Sequence, residues 1–107
     1  MSKRTEKKLR DLASLAYERA LSRALDELSA EFKRWQNGSI DAFDLNQLIH
    51  VFHNQTGRKL YSFYVGAKPY LAVAAAVRDG ILKRDEVGEE LLSELSATIN
   101  LLTRSDE

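Results

Sequence analysis

The chain has no cysteine, one proline, five glycines and one tryptophan in 107 residues. Without cysteine there is no disulfide, no thiolate metal site and no thiol nucleophile. That composition suits a reducing compartment, and a cytoplasmic location is expected. No stretch alternates β-branched and polar residues, so nothing reads as a strand. The longest aliphatic run is Leu71 to Val77. A bilayer needs about 20 apolar residues in a row, so no membrane span is expected. The first residues are polar through Lys8, unlike a signal peptide. Net charge is also missing: 16 bases balance 16 acids.

That balance hides an uneven spread. Residues 1–10 hold five bases against Glu6, a net of +4. Residues 79–107 hold eight acids against three bases, a net of −5. Such ends suit two solvated termini that attract each other. A basic arm for nucleic acid would need more charge than this.

What is present is helix-forming sequence. Residues 3–36 contain neither Gly nor Pro and are rich in Ala, Leu, Glu, Lys and Arg. Their second half places Leu21, Leu25, Leu28, Phe32 and Trp35 at spacings of 4, 3, 4 and 3, one apolar seam. The first half carries Leu9, Leu12 and Ala16 beside Ala13, Tyr17, Ala20 and Ala24. A helix of that length runs about 50 Å, whereas a compact domain of this size is roughly 30 Å across. Either the helix breaks or its N-terminal half projects. A projecting half bearing Leu9, Leu12, Leu15, Tyr17 and Leu21 needs a partner. Self-association through this helix, as a homodimer, is the expectation.

Two joints 42 residues apart share one grammar: Asn37-Gly38-Ser39-Ile40-Asp41-Ala42-Phe43-Asp44-Leu45 and Asp79-Gly80-Ile81-Leu82-Lys83-Arg84-Asp85-Glu86-Val87. Gly ends one helix, and an acid with flanking aliphatics starts the next. Asp41 is the expected cap of the first joint. Lys83 stands where the second joint should carry one. Calcium loops share part of this pattern but need acids at their first and third positions. Those places hold Lys33 and Trp35, or Ala75 and Val77, so calcium is excluded.

Further helices are expected over 42–54, 58–65, 69–79 and 84–103, with a turn at Gln55-Thr56-Gly57. Gly88 threatens to split the last one. The whole reads as a single all-α domain over 1–107: about five helices, the long first one followed by a compact bundle joined by short Gly turns. Residues 1–4 and 104–107 are expected to fray.

The chemistry-bearing residues gather between the joints. His50 and His53 lie three apart and can share a helix face, but no third metal ligand accompanies them. With Arg58 and Tyr61 they could move protons and hold a phosphate, as in a small metal-independent ribonuclease. The Arg-x4-His spacing of HEPN-type ribonucleases is absent. Residues 45–65 also allow a helix-turn-helix reading, with Arg58, Lys59, Tyr61 and Ser62 offered to a DNA groove. Against it, Leu60, Phe63, Tyr64 and Val65 look buried. The carboxylate pairs Asp26-Glu27, Asp85-Glu86 and Glu89-Glu90 fit solvent-facing helix positions, the last two at a helix start.

The stretch Asp44-Leu45, Leu48-Ile49-His50-x-Phe52-His53 and Arg58-x-Leu60-Tyr61 resembles small, uncharacterised, all-helical bacterial proteins. The likeness covers roughly residues 20–90 and implies the fold without an activity. Taken together, the residues favour a small protein-interaction or regulatory module of unknown partner, such as an adaptor, an inhibitor or an antitoxin-like protein. No cofactor or metal is implied, and an enzyme is not favoured.

Overall fold

A computed structural model describes residues 2–105. Every regular element among them is helical. The first helix, α1 (Lys3–Gln36), is unbroken, and Ser2 caps it by accepting the Thr5 N–H at 3.1 Å. Residues 3 and 4 lie in its first turn, and residues 104 and 105 in the last turn of the final helix. Met1, Asp106 and Glu107 lie outside the described residues.

At the first joint, Gly38 adopts φ +82. This left-handed turn lets the Ser39 N–H reach back to the Arg34 carbonyl at 2.8 Å. Asp41 then starts α2 (Ala42–Val51) with a reciprocal pair of bonds: Asp44 N–H to Asp41 Oδ1 at 2.8 Å, and Asp41 N–H to Asp44 Oδ2 at 3.2 Å. Gly80 repeats the device at φ +74, with the Ile81 N–H donating to the Ala76 carbonyl at 2.9 Å.

The expected turn at residues 55–57 does not form. A π-helical stretch, Phe52–Gly57, continues α2 into the short α3 (Arg58–Tyr61), and a second, Ser62–Gly66, continues α3. Gly57 itself is right-handed helical at φ −62, ψ −44. Residues 42–66 are thus one rod. The inward residues Phe52, Thr56, Leu60 and Tyr64 explain why. Groups four apart drift around an α-helix by about 40° per step. Turns that take an extra residue rotate the drift back, so the stripe stays against α1.

After the rod come α4 (Pro69–Arg78), α5 (Arg84–Val87) and α6 (Glu89–Ser105), the last two divided at Gly88. These three cover the N-terminal half of α1. Leu9, Leu12, Ala13, Ala16 and Ala20 meet Ala72, Val73, Ala76, Leu82, Val87, Leu91, Leu92 and Leu95 there. Both aliphatics of the second joint, Leu82 and Val87, are fully buried.

Lys83 has no side-chain acceptor with which to cap α5. Glu86 compensates by accepting the Lys83 N–H at 2.9 Å. Arg19 of α1 grips the same carboxylate with two bonds of 2.8 and 2.7 Å and also reaches the Ile81 carbonyl. This fork ties the second joint to the middle of α1. The hydrogen bond from Arg19, and then that from the Lys83 backbone, lower the Glu86 pKa from 4.5 to about 2. A depressed carboxylate stabilises the fold above its ordinary value and loses that contribution as pH falls through the folded value. Stability should therefore drop between pH 4.5 and about 2. Urea midpoints across that range should fall less steeply in Glu86→Gln; equal slopes would remove Glu86 as the cause.

A candidate interaction surface on the helical hairpin

Beyond residue 20, α1 loses its third layer. The rod folds back along it, and Tyr17 meets Tyr61 edge-on, with ring centroids 6.5 Å apart. Tyr17 also stacks on Tyr64 at 6.0 Å. These rings close the waist of an antiparallel hairpin made of residues 21–36 and 42–60. Inside the hairpin only Leu45 is fully buried. Leu21, Leu28, Leu48 and Phe52 are half-buried. The remaining seam is open: Leu25 is 47% exposed, Trp35 44%, Phe32 38% and Ile49 38%.

Helix register places these groups together. On α1, Leu21, Leu25, Leu28 and Phe32 share one flank. Antiparallel packing turns the Ala42, Asn46, Ile49 and His53 side of the rod toward the same flank. None of these eight positions is Asp, Glu, Lys or Arg, in a chain that is 30% charged. An uncharged, partly apolar face this long is unusual for a free surface.

The molecule's dimensions say the same. Its radius of gyration is 16.9 Å and its extents are 53 × 30 × 22 Å, against a radius of about 13 Å for a compact chain of this length. Its accessible surface is 7530 Å². A compact monomer of 12.1 kDa exposes about 6,000 Å². The excess, about 1,500 Å², exceeds the roughly 800 Å² that each partner contributes to a standard interface.

The residues singled out in the sequence fall in different places. Leu9 and Leu12 are core, packed under α4 and α6, so they meet no partner while the fold is intact. Leu15 is exposed, whereas Tyr17 and Leu21 are half-buried at the waist. The half of α1 left without a full cover is the C-terminal one, not the N-terminal one. The reason is that α4 is rich in alanine and seats closely on Ala13, Ala16 and Ala20.

His50, His53, Arg58 and Tyr61 are all exposed along the rod. Arg58 lines a shallow depression with Lys59, Ser62, Phe63 and Ala67, and neither histidine joins it. Among the described residues no three His, Asp or Glu side chains gather to hold a metal ion. A helix-turn-helix needs a bend between its helices, and at Gly57 the backbone runs straight on. Sequence reading missed the Arg19–Glu86 fork. Its signal was weak: an acid six residues after Gly80, read only as a helix start. No described helix is long and apolar enough to cross a membrane. No protein-family model, curated protein or solved structure matches this chain.

Proposed function

We propose that the chain is a small protein-interaction module that self-associates through the C-terminal half of α1. The observation behind this reading is the open seam of Leu25, Phe32 and Trp35, joined by Ile49, on a hairpin with no third layer. Two helices sharing one apolar stripe cannot bury it alone. A matching stripe completes it.

The test is a charge on the seam. Phe32→Glu should leave the circular dichroism of the monomer intact, because Phe32 lies outside the α1–α4–α6 core. It should weaken association at least about 30-fold, equivalent to roughly 2 kcal/mol for a central aromatic anchor. Sedimentation velocity over a concentration series gives the answer. A dissociation constant unchanged by Phe32→Glu would refute the seam as the contact.

A further inference from the structure

Resting on that reading, we infer that the occupant of the seam is a second copy of this chain lying antiparallel, so that two hairpins form a four-helix bundle. In this arrangement Leu25 and Leu28 of one copy meet Trp35 and Phe32 of the other.

The spacing of the seam supports it. Leu25, Leu28, Phe32 and Trp35 alternate steps of 3 and 4, the pattern whose knobs fit into the holes of a facing helix. Antiparallel pairing about Ala30 sets residues level when their numbers sum to 60, which brings all four into register at once.

The rest of the chain argues the same way. On the flank where the seam runs, the N-terminal half of α1 carries Lys7, Asp11 and Glu18, all exposed. A parallel dimer would lay Glu18 against Glu18 and crowd two lobes of α4, α5 and α6 side by side. The antiparallel one puts the lobes at opposite ends and keeps Glu18 away from its own copy. The pairing is closed and isologous, so it stops at two. The surplus surface of the monomer covers the area such an interface takes.

Having no native cysteine, the chain permits a direct test by cross-linking. Ser22 and Gln36 are exposed beside the seam. Mixed Ser22→Cys and Gln36→Cys chains, mildly oxidised, should give the 22–36 disulfide as the main product. Ser22→Cys alone should give none, because in the antiparallel pair the two positions stand about 24 Å apart along the axis, well beyond the roughly 7 Å a disulfide spans. A 22–22 disulfide as the main product would overturn the antiparallel arrangement. Light scattering on the same variants before oxidation separates the two ideas. A dimer giving only 22–22 bonds sinks the orientation and leaves self-association standing. A monomer sinks both.

Discussion

Leu12→Glu should be largely unfolded at 25 °C, although the same change at Leu25 should leave a folded monomer. Leu12 is 8% exposed and sits in the α1–α4–α6 core. Truncating such a leucine costs about 2–5 kcal/mol, and burying an unpaired carboxylate adds several more. A small domain has about 5–15 kcal/mol in total. Leu25 carries no such load, since nearly half of it already faces water. Far-ultraviolet circular dichroism and a urea titration of the two variants would show the contrast. A folded Leu12→Glu with a weakened dimer would restore the N-terminal half of α1 as the interface.

The second large effect concerns the close contact of α1 with α4. Ala16, Ala72, Val73 and Ala76 are all 0% exposed. Such small groups let two helices approach to the short end of the 8–10 Å range. Ala16→Leu inserts three carbons at a position with no solvent exposure. It should cost about 1–3 kcal/mol, or more if α4 is forced off its seat. The loss should appear as a lower urea midpoint with an unchanged slope, because the same surface unfolds. A gain in stability at this site would show that the helix contact has room, and that the alanines are not set by packing.

The outline of the fold was legible because its signals are local. Gly38 and Gly80 stop helices with positive φ, and Asp41 caps one, through chemistry confined to a few neighbouring residues. The length of α1 followed from 34 residues without a helix breaker. What failed was non-local. Gln55-Thr56-Gly57 has the composition of a turn, but Leu60 and Tyr64 must stay in line with Phe52 against α1, and that tertiary demand keeps the backbone helical. The choice of which half of α1 is covered depended on α4 arriving from residue 69. Nothing within residues 3–36 announces it.

The same split explains the candidate site. Leu25, Phe32 and Trp35 were visible as a seam, yet a seam looks identical whether its partner is in the same chain or another. The placement of the rod covers Leu45 and leaves Ile49 partly open beside Leu25, Phe32 and Trp35. His50 and His53 show the converse. Their spacing was suggestive, but the rod lays them on an exposed side, and among the described residues no three His, Asp or Glu side chains gather there.

The mass of the unmodified chain in solution is the most direct measurement. Sedimentation equilibrium at high micromolar concentration should return twice the 12.1 kDa of a single chain, falling toward one chain on dilution. A mass of one chain at every concentration would contradict the two-copy bundle and leave the hairpin face without its occupant.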